Sequence, residues 1–161
     1  MSLLIALSIS IGLLAVAATW LFLGPLAAFN MQIWQAFIAW ASHFHNGGKS
    51  DGLQKTAICM TFGALVGMAS VMLVGPLGAL GGMAAPVAVG IGAAVIVLAA
   101  PLPILSTIPS SVYGFASVAG LILLGKDMSP EKAILPTILS IMLGAGFGWL
   151  SEFIAGKMAK K

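Results

Sequence analysis

The chain has 161 residues, 60% of them hydrophobic and only 7% charged, with a net charge of +3. A soluble domain carries about 25% charge, so this composition cannot cover a water-facing surface and excludes an ordinary soluble globule. The positive charge comes from lysines outside the apolar runs. That suits a membrane surface, whereas a nucleic-acid partner would require a basic groove with interleaved aromatics.

The first apolar run covers residues 3–23 and ends at Gly24-Pro25. Ala15-Val16-Ala17 has the look of a small-residue cleavage site. No Lys or Arg precedes the run, however, and it is too long for a signal-peptide core, so a first membrane helix is expected. The second segment is 27–44, with Asn30, Gln32 and Gln35 near its start. A polar loop, 45–54, contains Gly47-Gly48. The third segment is 53–74, ended by Gly75-Pro76, and a Gly-rich linker, 77–82, leads into the fourth, 83–100. Pro101 and Pro103 precede the fifth, 104–124, in which Pro109 should break or kink the helix. A charged loop, 125–132, precedes the sixth, 133–155, with Pro136 in its first turn, where a missing N–H costs little. Each segment approaches the roughly 20 apolar residues that a membrane-spanning helix needs. The expected fold class is therefore all-α: one integral membrane domain, 1–161, of six transmembrane helices.

Residues 56–67 (TAICMTFGALVG) recur as 137–148 (TILSIMLGAGFG), 81 positions on, with Thr56, Gly63, Ala64 and Gly67 matched by Thr137, Gly144, Ala145 and Gly148. At an offset of 75, Phe37–Ser42 (FIAWAS) aligns with Val112–Ser117 (VYGFAS). The first and fourth segments share Ile11-Gly12 and Ile91-Gly92, a pair that is not evidence by itself. The repeat unit is then three helices, 1–76 and 77–161, and an odd count sets the second copy upside down. Inverted repeats of this kind recur in transporters, with the solute site at their interface. With six spans, Lys49, Lys55, Lys157, Lys160 and Lys161 fall on one side and Lys126 and Lys132 on the other. The lysine-rich side faces the cytoplasm, so both termini are expected there.

The stretch WQAFIAWASHF, followed by HNGGKSDGLQKT and a Gly-rich third helix, resembles the YcdZ-like family of small bacterial inner-membrane proteins, and IPSSVYGFASVAG resembles the family's second-half motif. The resemblance covers nearly the whole chain. It implies an integral inner-membrane protein and supplies neither a substrate nor functional residues.

Candidate site residues sit on the second and fifth segments. Gln35, Trp40, Pro109, Ser110, Tyr113 and Phe115 could line a constriction in which amides and hydroxyls bind a small polar solute and the aromatics narrow the path. Equally, the glutamines and tryptophans could be interfacial anchors. Asn30 and Gln32, in the first turn, fit the anchor reading better. Gly63 with Gly67 and Gly144 with Gly148 form two G-x-x-x-G pairs, which allow close helix packing in lipid; packing of the third helix on the sixth is expected. Thr61, Ser70, Thr137 and Ser140 should bond back to their own helices. His43 and His45, near Asp51, do not converge on one helix face and suggest no metal site. Glu152 is the one acidic residue inside an apolar run, near Lys157. No catalytic set, cofactor motif or central carboxylate is present, so passive conduction fits better than coupled transport or catalysis. Two readings follow: a channel or facilitator for a small uncharged polar solute such as urea or ammonia, working as a homo-oligomer, or a non-transporting accessory or assembly subunit.

Overall fold

The computed structural model describes residues 1–159; Lys160 and Lys161, two of the lysines counted for orientation, lie outside the described residues. Among the described residues the fold is all-helical: α1 Leu3–Leu23, α2 Ile33–His45, α3 Lys49–Leu73, α4 Ala84–Ala99, α5 Ile108–Leu124 and α6 Pro130–Ala159. Among the described residues, four stretches are long and apolar enough to cross a membrane: Leu3–Leu23, Lys49–Leu73, Gly78–Ala99 and Pro130–Ala159. The other two expected spans are helical but short. α2 has 13 residues and α5 has 17, roughly 20 and 26 Å of helix against about 30 Å of hydrocarbon.

The short helices start late for identifiable reasons. Hydropathy extends the second segment back to residue 27, but Pro25 follows the end of α1, Ala27–Phe29 forms a single 3-10 turn, and Asn30 is left-handed at φ 57°. Gln32 is extended, and α2 begins only at Ile33. The fifth segment behaves alike. Pro103–Leu105 is a 3-10 turn, and α5 begins at Ile108, so Pro109 lies in its first turn. The expected break at Pro109 is therefore a helix start, where proline is tolerated. α3 begins at Lys49, four residues before the expected 53, and absorbs most of the polar loop. α6 also begins early, at Pro130, which leaves Pro136 inside the helix.

The chain divides into two compact units, Met1–Ala57 with Leu139–Lys161, and Ile58–Ile138. In the first, α2 runs parallel to the later part of α6. The Gln32 N–H donates to Ser140 Oγ (3.1 Å) at one end, and the Trp40 indole N–H donates to Ser151 Oγ (3.1 Å) further along. A Cβ on Gly144 would fall on the Ala36 backbone, and one on Gly148 would lie 2.9 Å from His43 Cβ. α1 runs antiparallel to α6. The Ser10 hydroxyl donates to the Ser151 carbonyl (3.0 Å), and Met1 shares a groove with Ile154, Lys157 and Met158. α2 thus returns the chain to the end where α1 began. Phe22, Met31 and Ala36 form a buried core with Leu26, Ile33 and Phe147 packed against it.

In the second unit α5 lies along α3. A Cβ on Gly63 would fall on the Ser111 backbone, one on Gly67 would lie 2.9 Å from the Phe115 carbonyl oxygen, and one on Gly114 would fall on the Met60 backbone. Ser70 of α3 fits under Gly92 of α4. The nearest neighbours of all four glycines in the two G-x-x-x-G pairs thus come from α5 and α2, where the sequence reading paired the third helix with the sixth.

Candidate functional site

In the first unit, Gln35 and Trp40 both face inward from α2. Gln35 is fully buried and Trp40 nearly so. Besides its bond to Ser151, the Trp40 ring stacks on Phe147 (centroids 5.6 Å apart, 18° between planes) and tilts against Phe37. Ser151 in turn donates to the Gly148 carbonyl (2.7 Å). A buried indole N–H needs such a partner, and α6 supplies it. Asn30 and Gln32 lie before the helix, where the Gln32 side chain donates to the Asn30 carbonyl (3.0 Å). Ser140 Oγ accepts the Gln32 N–H.

In the second unit, Ser110 is buried on α5, Tyr113 and Phe115 are half-buried, and Pro109 is exposed. The Ser111 hydroxyl donates to the Thr107 carbonyl (3.4 Å). Phe115 packs beside Gly92, which leaves room for its ring.

The most developed polar cluster was not assembled by the sequence reading. At the C-terminal end of α2, His43 is fully buried, and its Nε2 lies 3.1 Å from Glu152 Oε2 on α6. The same carboxylate oxygen accepts the Lys49 backbone N–H at 2.6 Å. Three successive left-handed residues make this approach: Gly47 (φ 89°), Gly48 (φ 70°) and Lys49 (φ 56°). A Cβ on Gly48 would lie 2.6 Å from Glu152 Oε2, so glycine is required there twice, for its backbone angle and for the approach of the carboxylate. Glu152 therefore caps the start of α3, where unpaired N–H groups favour negative charge.

Two further glycines make room for His43. Gly148 lies against its ring and Cβ, and a Cβ on Gly52 would meet the His43 carbonyl at 2.7 Å. The Nδ1 atom has no hydrogen-bond partner. Neutral imidazole with its proton on Nε2 satisfies this geometry: the N–H donates to the carboxylate and Nδ1 keeps its lone pair. A proton on Nδ1 would be a buried donor without an acceptor, which costs free energy. Beside this cluster, the Ser42 and Thr56 hydroxyls lie 3.1 Å apart and Asn46 donates to Thr56 (2.9 Å). His45 is exposed.

The cluster borders an open groove of about 320 Å³ lined by Lys49, Ser50, Trp149, Glu152, Phe153 and Lys157, among others. Glu152 is thus buried on one side and reachable on the other. Among the described residues, no group of three or more His, Cys, Asp or Glu side chains is placed to hold a metal ion. The arrangement is one of anchoring: a buried histidine and a carboxylate that caps α3, with two lysines nearby at one end of the helices.

No curated protein and no solved structure matches the chain. The family described as "Protein of unknown function (DUF1097)" matches residues 8–156, and the chain belongs to it.

Proposed function

We propose that this DUF1097 member is a multi-pass channel or facilitator for a small, uncharged polar solute, urea-like or ammonia, built from two inverted three-helix repeats and working as a homo-oligomer in a bacterial inner membrane, as the YcdZ-like resemblance implies. The observation that carries this reading is the pair of short helices. α2 and α5 begin 75 residues apart, at Ile33 and Ile108, each after an irregular segment. Interrupted backbone at membrane depth is tolerated only where it is buried in protein or lines a wet cavity, and discontinuous helices are a common setting for solute sites.

The repeat reading has support beyond its seed. At an offset of 75, the buried residues Gln35, Ala36, Ala39, Ser42 and His43 of α2 correspond to the buried Ser110, Ser111, Gly114, Ser117 and Val118 of α5. The close approach of Gly144 to Ala36 corresponds to that of Gly63 to Ser111, and the contact of Gly148 with His43 to that of Gly67 with Val118. Ser140 reaches the residue before α2, and its counterpart Cys59 reaches Ile104 before α5. In this reading α2 and α5, with their leading segments, complete six crossings. The parallel run of α2 and α6 fits that count, because α2 brings the chain back to the end holding Met1, Lys49 and Lys157. With lysines at that end, both termini are cytoplasmic.

Within this reading each unit contributes its own polar step, Gln35 with Trp40 in one and Ser110 with Pro109, Tyr113 and Phe115 in the other. A second reading, a non-transporting accessory or assembly subunit, draws on a specific observation: Trp40 is bonded to Ser151 and stacked on Phe147, as a packing residue would be. Stopped-flow swelling of proteoliposomes separates the two. A channel accelerates the passage of at least one small polar solute over protein-free liposomes. Gln35→Ala and Trp40→Phe then change that flux while the folded yield is retained. Passage no faster than through empty liposomes for the whole solute panel leaves the accessory reading.

A further inference from the structure

The groove at the Glu152 end combines features that a purely structural seam does not need. Its floor is a stacked aromatic pair, Trp149 and Phe153, with ring centroids 5.3 Å apart and 12° between planes. Both rings stay partly exposed, 37% and 46%. The Lys157 ammonium lies 4.4 Å above the Phe153 ring. Lys49 and Ser50 line the opposing rim, at the start of α3. Among the described residues the one carboxylate in the lining, Glu152, turns Oε2 to His43 and to the Lys49 N–H. Asp51, also in the first turn of α3, is outside the lining. An occupant then faces two ammonium groups, a hydroxyl, the exposed side of the Glu152 carboxylate, and an apolar aromatic shelf.

We infer that this groove binds the headgroup of an anionic phospholipid. The phosphodiester would sit between Lys49 and Lys157, with the Ser50 hydroxyl as a further donor, and an acyl chain would lie along Trp149 and Phe153. Charge complementarity selects this occupant. Two lysines beside apolar surface at a helix end match a phosphate joined to a hydrocarbon tail, and basic pockets between helices bind such headgroups. Aromatic side chains at headgroup level supply the amphipathic shelf. A neutral or zwitterionic lipid leaves the two ammonium groups without a net counter-charge. The inference requires only that the chain sits in a bilayer, so it stands or falls independently of solute conduction.

The test uses the full-length protein, purified and delipidated in a neutral detergent. Phosphatidylglycerol, phosphatidylcholine and phosphatidylethanolamine are titrated separately, with retention read by native mass spectrometry and stabilisation by thermal melting. The expected result is saturable retention of phosphatidylglycerol over the other two lipids. Lys49→Gln and Lys157→Gln each weaken it about fivefold, because a basic residue near an anionic lipid contributes about a factor of that size. Both lysines are at the surface, and unchanged melting without lipid verifies that the variants fold. Equal retention of the three lipids by the wild-type protein overturns the inference without reference to any variant. So does preference for phosphatidylethanolamine, or retention of phosphatidylglycerol unaltered in both variants. Glycerol phosphate is the remaining arm: if it stabilises the protein as much as the lipid does, the groove is a small-anion site and the lipid assignment fails.

Discussion

Gly144 and Gly146 lie two residues apart in the same helix and make opposite predictions when each is changed to alanine. Alanine is favoured over glycine in a helix interior by roughly 0.5–1 kcal/mol. At Gly146 nothing lies within 4 Å of the added Cβ, so that gain is unopposed. At Gly144 the methyl group lands on the backbone of Ala36 in α2, with Ala36 Cα at 2.6 Å and its carbonyl carbon at 2.7 Å. Ordinary contact is about a further ångström out, and a backbone cannot rotate aside as a side chain does. α2 must then shift relative to α6, which strains the Gln32–Ser140 and Trp40–Ser151 hydrogen bonds on either side. Overpacking typically costs about 1–3 kcal/mol, and a backbone-limited contact belongs at the upper end. The propensity gain is common to both variants, so they should differ by the overpacking term, about 2–3 kcal/mol, with Gly144→Ala below wild type and Gly146→Ala equal to it or above. Gly63→Ala, against the Ser111 backbone, should behave as Gly144→Ala does. Thermal melting in detergent, followed by the loss of monodisperse protein on size exclusion, ranks the variants. If Gly144→Ala melts with Gly146→Ala, α2 is not seated on Gly144 and the packing described above is wrong.

Glu152→Ala should destabilise the protein by about 2–4 kcal/mol, because it removes the cap on Lys49 and the partner of the buried His43, and hydrogen bonds to charged groups are each worth about 1.5–3 kcal/mol. Glu152→Gln keeps acceptor and volume and should cost less; equal melting of Glu152→Ala and wild type would rule out the anchor. Gly48→Ala should be worse than Gly47→Ala, since both residues have positive φ but only Gly48 also meets Glu152; melting of the two variants compares them directly, and the reverse order contradicts the cradle. Cys59 is buried, with its thiol directed at the Ile104 carbonyl. It should resist a water-soluble maleimide in the folded protein and react after denaturation in SDS, whereas rapid native labelling would place it on an open path.

Apolar length made α1, α3, α4 and α6 legible, because a long run of Leu, Val, Ala and Met has no other stable use than a membrane helix. The starts of α2 and α5 were not legible for the same reason. Ala27, Ala28, Phe29 and Met31 are apolar, and so are Ile104 and Leu105, so hydropathy runs straight through two turns. Only the backbone discloses that Pro25 and a left-handed Asn30, or Pro101 and Pro103, have stopped the helix. Small-residue spacing identified Gly63, Gly67, Gly144 and Gly148 as contact surfaces, but a G-x-x-x-G face does not name its partner. The Ile-Gly pairs shared by the first and fourth segments are not evidence of a repeat by themselves, and their surroundings differ. Gly12 has nothing within 4 Å, while Gly92 is packed on Ser70. His43 and Glu152 are 109 residues apart. Neither residue's local context signals the other, and each alone looks like an ordinary polar group at a helix end.

The way each unit is assembled has a consequence for the origin of its stability. Residues 1–76 contain α2 but lack the α6 residues on which one of its faces rests: Ser140, Gly144, Gly148, Ser151 and Glu152 all belong to residues 77–161. Conversely, residues 77–161 contain α5 but not Met60, Gly63 or Gly67. Each half of the sequence therefore supplies the seat for the other half's short helix. A short helix without its seat exposes buried polar side chains, Gln35 and His43 on one and Ser110 and Ser117 on the other, and unsatisfied polar groups in hydrocarbon cost several kcal/mol each. Neither half should fold alone, whereas the two expressed together as separate chains should associate and co-purify. Expression of 1–76, of 77–161, and of both, each with its own tag, tests this by recovery of monodisperse protein. A stable, monodisperse 1–76 on its own would mean that α2 finds its seat within the first half, and the reliance of α2 on α6 would then be refuted along with the contacts that define it.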